Sequence, residues 1–479
     1  VLPVNPLPLL SRRRLLQLSG LGFGSLALGY LLDHDGLLAA GPAPRAVVND
    51  LRPRPGHFPA RARAIIQFMQ NGGPSQMDLF DPKPELQRRN GRPIGGAVET
   101  FQTGNSNLLL ASPFKFHRRG RCGMELSEIV PHLGTIADDI TLVRSMHTEH
   151  NNHTEALIMM GTGKIFPGRP SLGSWVSYAL GTENQNLPAY VVLRDPAGYN
   201  TTGKLVWSNG WLPALFQGTE FSATGSPVLN LRPAVAQPKG AREDDLGFLA
   251  RLNEEHRRQY PQDSELEARI RNYELAARMQ LQAGRLLDLA GESAATRKLY
   301  GLDNPVTAGY GLRCLMARRL VEAGVRFVQV FPPPFQPWDS HMDSRGELKK
   351  ICAITDLPVT GMVRDLKARG LLHSTIVLWT GEFGRLPVTQ NSKGRDHNRN
   401  AFSLWLAGGG FKAGHVHGGT DDFGYKAVVD RVSVPDLHAT LLHQLGLDHR
   451  QLAYAHRGRE ETLTDAPVSK ARVVADLLT

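Results

Sequence analysis

The chain has little of what would staple it covalently or hold it in a membrane. Its 479 residues include three cysteines, Cys122, Cys314 and Cys352. They lie far apart with no C-x-x-C spacing, which argues against a disulfide framework, a thiolate metal knot or a redox pair. The expectation is buried thiols acting as small hydrophobes. Long apolar runs are also missing. The stretch Leu18 to Leu32 is softened by Gly20, Gly22, Gly24 and Gly29 and falls short of the ~20 strongly apolar residues that a span requires. Gly408-Gly409-Gly410 lacks the G-x-G-x-x-G and Walker spacings, so no nucleotide is implied. No internal repeat is visible. The formal net charge of +10 suits anionic substrates or surfaces. The basic residues are scattered, however, and no finger, zipper or helix-turn-helix accompanies them, so no nucleic-acid partner is expected.

What is present begins with a targeting pattern. Ser11-Arg12-Arg13-Arg14-Leu15-Leu16-Gln17 follows Ser-Arg-Arg-x-Phe-Leu-Lys, with Leu for Phe and Gln for Lys. A modest apolar stretch and small residues near Ala39-Ala40 come after it, the order of a twin-arginine signal. Residues 1–40 are therefore expected to engage the twin-arginine export machinery and to deliver the protein to the periplasm or cell surface. An uncleaved signal would be its one membrane anchor. Residues 41–62, rich in Pro, Arg and Ala, read as a linker, and 63–479 as a single domain.

Within that domain, strands are expected at 63–70, 140–146, 189–193, 326–331, 375–379 and 402–406. Helices are expected at 126–137, 154–160, 175–180, 311–323, 359–369 and 434–445, and a helical insertion at about 244–300 is broken near Pro261. Strands alternating with helices imply an α/β fold, a mainly parallel sheet covered on both faces.

Ligands of such sheets sit at the carboxyl ends of the strands, and polar residues gather there. The first strand ends at Asn71. The second leads to His147, His150, Asn152, His153 and Thr154. The fourth leads to Asp339 and His341, and the fifth to Glu382, Arg385, Arg395, Asp396 and His397. Asp339 and His341, two apart, point the same way in extended backbone and can share a divalent ion. His397, with Asp396 beside it, can complete the set and leave a position open. A hydrogen-bonded Asp-His pair pinning the loop is the alternative. His147, His150 and His153 would make a His-x-x-His-x-x-His site only on a continuous helix, which the strand-to-helix turn there opposes. Asn152, His153 and Thr154 instead open a helix whose free N–H groups favour phosphate or sulfate. Thr154 is then a hydroxyl nucleophile or a plain N-cap. Trp338, Trp379 and Trp405 are expected to pack the core.

Further landmarks are Asn71-Gly-Gly-Pro-Ser75, Val143-Arg-Ser-Met-His-Thr148, Trp338-Asp-Ser-His341, Gly381-Glu-Phe-Gly-Arg385, Gly394-Arg-Asp-His397 and Asp436-Leu-His-Ala-Thr440. In this order they resemble the exported, sulfatase-like family known as domain of unknown function 1501. That family is similar to the alkaline phosphatase superfamily. The resemblance covers about residues 63–479 and implies an alkaline phosphatase-like α/β/α sandwich. It also implies that Asp339, His341 and His397 are one metal's ligands, with Asp396 as a further candidate. The chain departs from the superfamily pattern in holding Asn71 where the first strand usually ends in Asp, and Glu382-Phe383 where an Asp-His pair is usual.

The activity so implied is metal-dependent hydrolysis of phosphate or sulfate esters. The ion would be zinc, with manganese, magnesium or calcium as alternatives, and the substrate an anionic small molecule or polysaccharide ester. Glu382 would be a ligand or base. Arg385 and Arg395 would clamp the oxyanion or form structural salt bridges. A non-catalytic binding or cell-surface scaffold with an eroded site is the rival reading.

Overall fold

The computed structural model describes residues 28, 30, 31, 50–224, 240–260, 264–286 and 291–479. The chain divides into a unit Val1–Val48 and a unit Asn49–Thr479. The twin-arginine motif lies outside the described residues, and the second unit is the one considered below. Among the described residues no helix is long and apolar enough to cross a membrane.

One nine-stranded sheet organises this unit. Its strands are β1 (Ala64–Met69), β2 (Ile140–His147), β3 (Tyr190–Leu193), β4 (Thr219–Phe221), β5 (Phe327–Val330), β6 (Thr375–Thr380), β7 (Phe402–Ala407), β8 (His415–His417) and β9 (Val432–Ser433). The spatial order is β8-β2-β7-β6-β1-β5-β3-β4, and β9 also pairs with β2. Every pairing is parallel except those of β7, which runs antiparallel to both β2 and β6. No helix separates β6 from β7, and without a crossover a parallel return cannot be made. All six residues of β1 are buried, so both faces of the sheet are covered and the strand is apolar at every position but Gln67 rather than alternating. Its one polar residue is paired: Gln329 Nε2 of β5 donates to Gln67 Oε1 at 3.2 Å.

The longer helices are α1 (His153–Thr162), α2 (Leu172–Leu180), α3 (Ala241–Gln259), α4 (Ser264–Leu286), α5 (Ala308–Glu322), α6 (Ser344–Ala368) and α7 (Val434–Gln444). Helix α6 begins well before the expected Val359. Pro358 resembles a helix start, yet the apolar face Leu348, Ile351, Cys352, Val359, Met362, Val363 and Leu366 is buried on both sides of it and carries the helix through. The expected helix at 126–137 is absent. Met124–Ser127 is a strand paired with Phe116–Arg119, and Pro131 precedes a 3-10 turn at Leu133–Asp139. Residues 50–62, read as linker, are docked on the domain: Thr182 N donates to Leu51 O at 2.9 Å and Arg61 N to Gln444 O at 2.9 Å. The expected break at Pro261 lies outside the described residues. The three tryptophans are buried as expected. Cys314 and Cys352 are buried too, but Cys122 is exposed, because it sits in the turn of the 116–127 hairpin rather than under the sheet.

His438 of α7 is fully buried against α1, where its Nε2 meets the Met160 carbonyl at 2.9 Å. Burial pushes its pKa from 6.5 down to about 4. The unfolded chain therefore takes up this proton first, so the contribution to stability is intact above pH 6.5 and is lost as the pH falls toward 4. Wild-type protein is expected to lose about 2 kcal/mol more than His438→Gln between pH 7 and pH 5. Urea unfolding of both at the two pH values checks this; a stability difference that does not change with pH would contradict it.

Candidate metal centre

The candidate residues meet beyond the carboxyl ends of β1, β5 and β6, adjacent strands at the middle of the sheet. The turn after β1 makes this closeness attainable. Gly72 has φ +116°, and a Cβ there would lie 2.7 Å from the backbone nitrogens of Trp338 and Asp339. Gly73 has φ +67°, and its Cβ would lie 2.6 Å from the Phe383 ring. Only glycine allows both the conformation and the approach. The Gly72 N–H donates to Glu382 Oε1 at 2.8 Å, and the Gly73 carbonyl accepts from Arg385 Nε at 2.8 Å.

Three imidazoles converge on Asp339. His341 comes from the loop after β5. His397 comes from a two-residue strand paired antiparallel with Gly384–Arg385, and His153 is the first residue of α1. Each ring is oriented through Nδ1 toward an oxygen that can only accept. His153 Nδ1 lies 2.5 Å from Glu382 Oε1, and His397 Nδ1 lies 2.6 Å from the Asn151 carbonyl. His341 Nδ1 lies 2.5 Å from Gln390 Oε1, whose Nε2 donates to the Thr103 carbonyl at 2.9 Å. With hydrogen placed on every Nδ1 by these partners, each Nε2 is left with its lone pair.

Those lone pairs point at one place. His341 Nε2 is 2.8 Å from Asp339 Oδ1 and 3.0 Å from His397 Nε2. His397 Nε2 is 3.5 Å from the same oxygen, and His153 Nε2 is 3.4 Å from Asp339 Oδ2. His153 Nε2 is buried without a hydrogen-bond partner. Lone pairs packed this closely repel unless a proton or a cation lies among them. A tetrahedron with arms of about 2.0–2.1 Å has edges of about 3.3 Å, close to the separations among Asp339, His341 and His397. The donor set fits a small divalent ion.

Burial and the facing charges act on these groups in opposite senses. Burial works to raise the Asp339 pKa. The Arg385 charge and the three histidines outweigh it and hold the carboxyl far below the ordinary range. At His153 burial works downward, and the facing carboxylates of Asp339 and Glu382 outweigh it and raise the pKa. Burial holds His397 down to about 4, against the Asp339 hydrogen bond. Phe383 packs between His153 and His397, with ring centroids 4.7 and 4.6 Å away, and Phe101 stacks on His397 at 4.8 Å.

Several expected roles change with this geometry. His153, expected to hold an anion, presents its ring to Asp339 instead. Glu382 is fully buried, with Oε1 on His153 Nδ1 and Oε2 without a hydrogen-bond partner. Arg385 is buried, with Nη2 on Asp339 Oδ1 at 2.5 Å and Nη1 on the Arg395 carbonyl at 3.1 Å. Arg395 makes a buried two-point pair with Asp78, at 2.8 and 3.1 Å. Both guanidinium groups are thus engaged inside the fold. Asp396 lies beside His341 and His397, but its oxygens accept from the backbone N–H groups of Phe101, Gln102 and His397 and from Asn105 Nδ2. The N-cap of α1 is Asn152, not Thr154, and its side chain makes no capping bond. Thr154, half-buried, is the second residue of the helix. His147 ends β2 and His150 lies in the turn, so of that trio His153 alone reaches the cluster. The orienting roles of Gln390 and the Asn151 carbonyl were not anticipated, and no local pattern marks them.

A mainly parallel α/β protein with a partly buried cluster of three histidines and one aspartate at its strand ends is the class that fold and site define. The chain belongs to the family DUF1501, described as a protein of unknown function, whose model matches residues 62–478. No curated protein matches it. Among solved structures it is similar to the PsFucS1 sulfatase from Pseudoalteromonas sp., at 12% identity and TM-score 0.35, covering 81% of this chain and 68% of that one. It is also similar to a protein in the alkaline phosphatase superfamily from Vibrio parahaemolyticus, at 10% identity and TM-score 0.34, covering 87% and 74%. The C-terminal periplasmic domain of EcEptC from Escherichia coli, in complex with Zn, matches at 9% identity and TM-score 0.33, covering 90% and 99%. Likeness at this level assigns no activity.

Proposed function

We propose that the chain is an exported metal-dependent hydrolase of phosphate or sulfate esters with an alkaline phosphatase-like fold. One divalent ion would be held by Asp339, His341, His397 and His153. The convergence of three Nε2 lone pairs on one carboxylate carries this reading, and imidazole-rich donors favour zinc over magnesium or calcium. When bound, such an ion acts as a Lewis acid and lowers the pKa of water. Glu382, Gln390 and the Asn151 carbonyl hold the rings in the ligating tautomer. Arg385 keeps Asp339 ionised and aimed. Phe383 and Phe101 keep water from the ring faces. The first N–H groups of α1, beside Asn152 and Thr154, offer a place for the anionic oxygens of an ester. Thr154 or water would be the attacking group.

One observation favours the second reading, a non-catalytic metal-holding scaffold. Four protein donors close a tetrahedral site, whereas catalytic sites keep a position open, and neither buried arginine is free for an oxyanion. Zinc-supplemented protein assayed on aryl phosphates and aryl sulfates separates the two. Turnover that falls at least about 100-fold in His153→Ala is the expected result. Zinc binding without turnover would favour a scaffold that keeps the ion, and zinc-free protein would favour the scaffold with an eroded site.

Delivery to the periplasm or cell surface rests on Arg12 and Arg13 ahead of the apolar stretch. A reporter fused to residues 1–45 should be exported and should stay inside the cell when both arginines become lysine. Continued export of the lysine variant would contradict the assignment.

A further inference from the structure

Asp396 is fully buried and adjoins His397. Among the described residues no Lys or Arg comes within 4 Å of its carboxylate. Four neutral donors hold it instead. Oδ1 accepts the His397 N–H at 2.8 Å. Oδ2 accepts the N–H groups of Phe101 at 2.8 Å and Gln102 at 2.9 Å, and Asn105 Nδ2 at 2.6 Å. Three of the four come from the segment 101–105, which is otherwise largely exposed. That segment touches the donor cluster at two more points. Phe101 stacks on the His397 ring with planes 16° apart, and the Thr103 carbonyl accepts from Gln390, the residue that orients His341.

We infer that Asp396 is a positioning residue that latches the 101–105 strap over His397 and thereby couples the strap to the metal. The inference rests on the metal reading above. A buried carboxylate without a cationic partner is costly. An Asp396 oxygen lies within 4.8 Å of ring nitrogens of His341 and His397, so a divalent ion there supplies the missing positive field. The ion tightens the latch, and by linkage the latch tightens the ion by the same factor. In this role Asp396 acts through Phe101 and the His397 backbone.

Two readouts test this. In wild-type protein, zinc is expected to slow amide hydrogen exchange of Phe101 and Gln102, the two amides bonded to Asp396. In Asp396→Asn those amides exchange at least about ten-fold faster, and the zinc Kd, read by competition with a chromophoric chelator, rises about 10–100-fold. If Asp396→Asn does not fold, Phe101→Leu serves. It keeps the amide bond, so protection is retained, and it loses the stacked ring, so zinc leaves faster. Unchanged zinc affinity in either folded variant would overturn the coupling. If wild-type protein binds no zinc, the metal reading fails and the coupling fails with it. Faster exchange in Asp396→Asn would then establish the strap latch alone.

Discussion

Asp339→Ala is expected to abolish stoichiometric zinc binding and to destabilise the fold by about 3–5 kcal/mol. The two effects have separate causes. Asp339 faces all three histidine Nε2 atoms, at 2.8 to 3.5 Å, so its loss removes the carboxylate donor common to the three rings. It is also the carboxylate on which Arg385 Nη2 rests at 2.5 Å, and Arg385 is fully buried. Removing one partner leaves an uncompensated charge inside the protein, far costlier than the pair's net worth. Elemental analysis and denaturant unfolding of the metal-free protein measure the effects independently. A variant that retains near-stoichiometric zinc would contradict the ligand assignment; metal-free stability within about 1 kcal/mol of wild type would contradict the account of Arg385.

The second large effect concerns Arg395 and Asp78, both fully buried and joined at two points. Asp78→Ala alone is expected to cost about 3–5 kcal/mol, whereas Asp78→Leu with Arg395→Met should recover most of it. The Arg395 guanidinium is spent on Asp78 and the Leu386 carbonyl. The double variant should therefore bind zinc and turn over ester as wild type does. Loss of turnover with zinc retained would restore Arg395 as an oxyanion clamp.

The extent to which this molecule is legible in its sequence depends on what each signal carries. Apolar runs such as Ala64–Met69 and Phe402–Ala407 reveal strands, but periodicity holds no direction, so the reversal of β7 was invisible. The helix read at 126–137 rested on composition, and Pro131 and Gly134 with the pairing of Met124–Ser127 to Phe116–Arg119 decided otherwise. Asp339 and His341 are legible because two residues apart in a loop is a local relation. His153 is different. Its segment follows β2, which lies three strands from β1 in the sheet, so its nearness to Asp339 depends on strand order and helix entry, which no local window contains. Read locally, a histidine opening a helix suggests anion binding; tertiary placement turns its ring onto a carboxylate. The arginines show the same limit. Charge near a strand end is visible in sequence, but whether Asp78 has already taken it is not.

The central claim, that three histidines and Asp339 hold one divalent ion, is tested most directly by X-ray absorption at the zinc edge on the reconstituted full-length protein. The account predicts one zinc per chain with three imidazoles and one carboxylate oxygen at about 2.0–2.2 Å, and one fewer imidazole in whatever zinc His153→Ala retains. A wild-type spectrum with two imidazoles or fewer, or with a sulfur ligand, would contradict it.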